Sequence, residues 1–175
     1  MTKKKSSNLM TYAGTFGALV ILCVVLAIAS PNFFKYSNMM SILKQTSFNA
    51  LVSTGMLLCL ITAGIDLSVG ANATFAACLA GMLMNKGMTN PAVLLIVAIV
   101  GGTLIGWVNG MLLTRLHLPH PFVSTLGMKN VLWGGALIVT NSQMVSFSGN
   151  DAVMWLGSST VAGFPVSFIV VLVIY

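Results

Sequence analysis

The sequence predicts an all-α fold: a polytopic transmembrane helix bundle of about five complete spans plus a truncated sixth. Three observations carry this. Of the 175 residues, 57% are hydrophobic and 6% are charged, against about 25% charged in an ordinary soluble domain, and mean hydropathy is +0.98. Apolar runs recur at about the 20 residues a helix needs to cross a bilayer. These runs are continuous rather than alternating, as membrane helices are and lipid-exposed barrel strands are not. Lipid offers the backbone no hydrogen bonds, and a helix satisfies its own.

Met1 to Met10 is a short polar tail whose Lys3, Lys4 and Lys5 place it in the cytoplasm by the positive-inside rule. Thr11 to Ser30 is the first span. The basic start and Ala27-Ile28-Ala29 also fit a cleaved leader, but the run is long for one and further spans follow, so a retained helix is preferred. Pro31 ends it. Asn32 to Gln45 mixes Phe33, Phe34 and Tyr36 with Lys35 and Lys44, which predicts a short helix lying along the membrane interface. Thr46 to Ala63 and Leu67 to Met84 are the second and third spans. As one rod, residues 46–84 would measure about 58 Å, about twice the hydrocarbon thickness. The chain must therefore turn or break at Gly64-Ile65-Asp66.

Asn85 to Asn90 is a polar turn, and Pro91 opens a fourth span that runs to Leu113. Arg115 to His120 is a short basic loop, in which Pro119 and Pro121 block helix propagation. Phe122 to Thr140 is the fifth span. Asn141 to Ser159 reads as an exposed, irregular loop. Val161 to Tyr175 begins a sixth span without a closing polar flank, which predicts a truncated chain or a fragment of a longer protein. With the tail inside and every span crossing, Arg115 is also inside, and Lys35, Lys44 and Lys86 are outside.

Composition excludes several functions. Net charge is +6, but the basic residues outside the tail are scattered singly, so no nucleic-acid surface is expected. Cys23, Cys59 and Cys78 have no paired spacing, and His117 and His120 are too few for a metal site. The two acids, Asp66 and Asp151, are too far apart in sequence to read as a catalytic pair. There is no phosphate-binding glycine loop. The expectation is a protein that is not an enzyme and has no cofactor.

The polar residues inside the spans are the candidate site. Asp66 is flanked by Gly64 and Gly70 and sits between two apolar runs, where a carboxylate is costly unless hydrated, paired or hydrogen-bonded. Ser68 caps the following helix or bonds locally. Ser68 and Asn72 share one helix face, while Gly70, Ala73, Ala77 and Ala80 or Gly81 form a small-residue stripe on another. Asn72 lines a solute path or bridges helices, and bridging is the commoner use of such a residue. Gly102, Gly106 and Gly110 make two overlapping GxxxG steps for close helix packing, with Asn109 at their edge. Lys129 lies well inside the fifth span. It is the only opposite charge near membrane depth for Asp66, but it can also snorkel to the interface, and direct pairing is the less favoured reading.

Four of these stretches together resemble one family. Gly64-Ile65-Asp66-Leu67-Ser68-Val69-Gly70, the preceding Asn38 to Gln45, Gly106-Trp107-Val108-Asn109-Gly110, and His120 to Gly127 follow the order found in the permease subunits of bacterial ABC importers for monosaccharides such as ribose, xylose, galactose and allose. Those subunits form part of a branched-chain and sugar permease superfamily. The chain departs from the family at Ala63, where glycine is usual, and at Trp133, where arginine is frequent. The family is also nearly twice as long. The resemblance implies that residues 1–175 are a single transmembrane permease domain in the inner membrane, the N-terminal half of a longer protein. It implies as partners membrane lipid, a second permease copy, ATP-binding subunits and a soluble sugar-binding protein. Asp66, Ser68, Asn72 and Asn109 would then be pathway or gate groups. The alternatives are a self-sufficient secondary transporter or channel, or a non-transporting membrane fragment.

Overall fold

A computed structural model of the chain describes residues 7–62, 64–115 and 121–175. The lysine tail, Ala63, His117 and His120 lie outside the described residues. The elements are α1 (Ser7–Ala29), α2 (Tyr36–Ile61), α3 (Val69–Asn85), α4 (Pro91–Arg115), α5 (Pro121–Thr140), α6 (Asp151–Ser158), β1 (Thr160–Val161), β2 (Phe164–Pro165) and α7 (Val166–Ile174). By contacts the chain divides into two units, residues 1–43 and 44–175.

In the first unit, α1 ends where Ser30 N–H donates to the Leu26 carbonyl, one residue before Pro31. The turn that follows stacks Phe33 edge-on to Phe34 at 5.0 Å, and Asn38 Nδ2 donates to the Phe33 carbonyl at 2.7 Å. No separate interface helix is present. From Tyr36 the chain is one helix to Ile61, because Lys44 and Gln45 are good helix formers and no proline interrupts them.

By length and composition, three described helices suffice to cross a membrane: Tyr12–Ala29, Pro91–Arg115 and Pro121–Thr140. The other two expected spans are present as α2 and α3. Lys44, Gln45 and Asn49 dilute the apolar character of α2, and α3 has 17 residues, about 26 Å of helix.

The second unit is built on α3, which packs against both α4 and α5. Its inner face carries Asn72, Ala76 and Ala80, four residues apart. Gly70 and Ala77, expected on the packing stripe, are exposed instead. Close approach is made by glycines on the partner helices. A Cβ at Gly102 of α4 would stand 3.8 Å from Ala76 Cβ, and one at Gly135 of α5 would stand 3.0 Å from Phe75 Cε2. Helix α3 closes with a Schellman motif: Met88 N–H bonds Leu83 O at 3.1 Å, Gly87 N–H bonds Met84 O at 2.9 Å, and Gly87 takes φ +95°.

The segment expected to be an irregular loop contains α6. Asn150 caps it by accepting from Val153 N–H at 3.3 Å, and Asp151 complements the helix dipole in the first turn. A two-residue hairpin follows, pairing Thr160 with Pro165 and Val161 with Phe164. Ala162 and Gly163 both have positive φ, as a twist-matched tight hairpin requires. Helix α7 therefore begins only at Val166.

Gly81 offers a test of this packing. A Cβ there would collide with Val145 Cγ1 and stand 3.4 Å from Phe147 Cζ. Val145 is β-branched and restricted at χ1, and even a turned methyl leaves its Cβ 3.3 Å from the added atom. Gly81→Ala is expected to lose about 1–3 kcal/mol through overpacking, whereas Gly106→Ala, with nothing within 4 Å of the added atom, gains up to about 1 kcal/mol of helix propensity. Thermal unfolding in detergent checks the pair; equal shifts would refute the contact.

Candidate functional site

The site grows from the end of α2. Three donors converge on the Cys59 carbonyl: Thr62 N–H at 3.2 Å, Thr62 Oγ1 at 2.8 Å and Gly64 N–H at 3.0 Å. The last spans six residues, as in a Schellman-type helix end. Helix α2 is thereby terminated, and Gly64 to Asp66 continue without regular structure before α3 starts at Val69.

Asp66 organises the restart. Its Oδ1 accepts from Ser68 N–H at 2.7 Å and from Ser68 Oγ at 2.6 Å. This Asx-type turn satisfies a backbone donor at the start of α3 and holds a carboxylate at the positive end of the helix dipole. Ser68 occupies the N-cap position, but its hydroxyl makes no cap hydrogen bond. Of the two roles open to it in the sequence, the structure shows the local one. Ser68 Oγ donates to Asp66 and accepts from Asn109 Nδ2 at 2.7 Å. Ser68 is 1% exposed and Asn109 4% exposed, so this relay from α4 to the junction is buried.

Two further bonds clasp the same region. Asn72 Nδ2 donates to the Gly102 carbonyl of α4 at 3.0 Å, so Asn72 bridges helices. Thr125 of α5, 1% exposed, has three carbonyls within reach of its one hydroxyl proton: Pro121 at 3.0 Å and Phe122 at 3.4 Å in its own helix, and Ile65 of the break at 3.3 Å. The break between α2 and α3 is therefore held from α4 by Asn109 and from α5 by Thr125. Among the described residues, the buried atoms Asn72 Oδ1, Asn109 Oδ1 and Ser124 Oγ have no hydrogen-bond partner. The two amide oxygens are acceptors and the hydroxyl is both donor and acceptor, which suits water or a hydroxyl-rich solute.

The structure thus brings together Gly64, Asp66, Ser68, Asn72, Asn109 and Gly102. It does not bring in the rest. Gly70 is exposed, and added Cβ atoms at Gly106 and Gly110 would meet nothing within 4 Å, so among the described residues only Gly102 of the two GxxxG steps meets another helix. Lys129 is exposed on α5, and the Asp66 carboxylate takes its hydrogen bonds from Ser68. Sequence reading did not single out Ser124 and Thr125. Their signal was present: two adjacent hydroxyls one turn into an apolar span, where each needs a partner.

The family described as branched-chain amino acid transport system / permease component matches residues 38–175. The ribose import permease protein of Escherichia coli K12 is 34% identical over 151 residues, covering 85% of this chain and 46% of that protein. The ribose import permease protein of Haemophilus influenzae is 29% identical over 183 residues, covering 100% of this chain and 56% of that protein. The D-allose transport system permease protein of Escherichia coli K12 is 32% identical over 181 residues, covering 99% and 54%. The chain spans about half the length of the curated relatives it matches. No solved structure matches it significantly. Permease relatives and membrane-length apolar helices together make this an integral membrane protein. The chain belongs to the branched-chain amino acid transport system / permease component family.

Proposed function

We propose that this chain is a transmembrane permease domain of an importer that takes up a monosaccharide across the inner membrane. The observation that carries the reading is the match of 85–100% of the chain to proteins named as ribose and allose permeases. The node at the helix break supports it. A carboxylate, a hydroxyl and two amides gathered at one helix break are the groups a sugar pathway or its gate would use.

In this reading the permease performs no covalent step. It alternates between outward and inward openings, and partners that bind one opening better than the other shift the balance. The partners are a second permease copy, ATP-binding subunits on the cytoplasmic side and a soluble sugar-binding protein outside. The N-terminus is cytoplasmic. The junction at Asp66 then lies at the cytoplasmic end of α3, where it works as a hinge clasped by Asn109 and Thr125.

The test is uptake of labelled ribose, allose and galactose. Deleting the gene abolishes uptake of one of them, and restoring the full reading frame recovers it. In membrane vesicles, uptake requires ATP, the ATP-binding subunits and the binding protein together. Uptake driven by an ion gradient without ATP overturns the proposal in favour of a secondary transporter. Deletion without effect on any of the three sugars overturns it in favour of a non-transporting role.

A further inference from the structure

Helix α6 is strapped at both ends. At its start, Asn150 is 5% exposed, caps the helix with Oδ1 and donates from Nδ2 to the Thr89 carbonyl in the turn between α3 and α4 at 2.7 Å. At its end, Lys44 Nζ of α2 donates to the Ser158 carbonyl at 2.7 Å, placing a cation at the negative end of the helix dipole. The strap holds α6 over the end of the α3–α4 pair. Beneath it is a cavity of about 280 Å³. Ala77 and Ala80 of α3, Leu94 and Ala98 of α4, and Val153 and Leu156 of α6 line it, together with Phe147. Every one of these side chains is apolar, so the space favours an apolar occupant over water.

The surroundings identify the occupant. Leu95 lines the same cavity and is 53% exposed. One turn on, Ile99 is 58% exposed, and Ile96 and Val100 flank this row on a helix of membrane-crossing length. The cavity therefore opens onto an exposed apolar flank of α4 and is continuous with it. Trp155, 51% exposed on α6, is the residue type that settles at the headgroup level. We propose that the space beneath α6 is a binding site for one hydrocarbon chain of a membrane lipid. The lipid enters along α4, and its headgroup remains at the level of Trp155 and the Lys44 strap. The site is independent of which solute the permease carries.

Single-tryptophan reporters test this in the full chain. In a background with Trp107, Trp133 and Trp155 replaced by phenylalanine, Phe147→Trp places one fluorophore on the cavity wall. Phospholipid with brominated acyl chains is titrated into the detergent-solubilised protein. The expected result is quenching that saturates at one lipid per chain. A second reporter, Ile138→Trp, sits at a position 78% exposed on α5 and shows only gradual, non-saturating quenching. Adding Ala98→Phe to fill the cavity removes the saturable phase at the first reporter and leaves the second unchanged. Absent or non-saturating quenching of the Phe147→Trp reporter overturns the site, whether or not the filled variant folds. So does saturable quenching that persists in a filled variant of normal helix content.

Discussion

Asn109→Asp is expected to abolish uptake and to lower the stability of the bundle by about 3 kcal/mol or more. The reason is the count of protons at one hydroxyl. Ser68 Oγ carries a single hydrogen, which it gives to Asp66 Oδ1, and its lone pair receives the hydrogen of Asn109 Nδ2. A carboxylate at position 109 has no hydrogen to give. It competes with Asp66 for the one proton of Ser68 and adds a second negative charge to a site where Ser68 and Asn109 are nearly sealed from water. Asn109→Ala removes the donor without adding charge, and costs about 1–3 kcal/mol. Ser68→Ala removes the middle of the relay. Because Ser68 and Asn109 act on each other, the double variant to alanine loses less than the sum of the single losses. Melting in detergent and sugar uptake by cells, measured on all four variants, read the two effects separately. An Asn109→Asp protein that melts with the parent would remove the relay from the account.

What the sequence disclosed follows from what lipid does to sequence patterns. The break at Gly64 to Asp66 was legible because 39 residues of apolar chain exceed one crossing, and this needs only length. The partners of the break were less legible. Helices surrounded by lipid are apolar on every side, so hydropathy does not say which face meets a neighbour. That is why Gly102, Gly106 and Gly110 read as one packing stripe, while among the described residues only Gly102 meets another helix. It is also why the small-residue stripe expected on α3 includes Gly70 and Ala77, which are exposed, beside Ala80 and Gly81, which are buried, and omits Ala76. The relay through Ser68 was not legible because Asn109, which donates to its hydroxyl, is 41 positions away. Helix α6 had an ordinary local signal, Asn150 followed by Asp151, which a run of serines and glycines masked.

Asp66 separates the two things a carboxylate does at a helix start, which are to carry charge and to accept hydrogen bonds at short range. Its Oδ1 takes both bonds from Ser68, two residues on, and such a turn closes only with the short Asp or Asn side chain. Asp66→Asn keeps an oxygen at that place and loses the attraction to the α3 dipole, about 0.3–1 kcal/mol. Asp66→Ala loses both acceptor bonds and frees the first turn of α3, about 1–2 kcal/mol, the scale of a lost cap. Asp66→Glu keeps the charge but is one methylene too long for the turn. The expected order of damage to uptake is therefore Ala, then Glu, then Asn, with the Asn variant close to the parent. Hydrogen exchange at the amides of Ser68 to Asn72 should follow the same order, because the turn protects the start of α3. If Asp66→Asn instead fails in uptake while those amides stay protected, the charge itself is needed. Asp66 would then act on the solute or on a proton rather than on the fold of the junction.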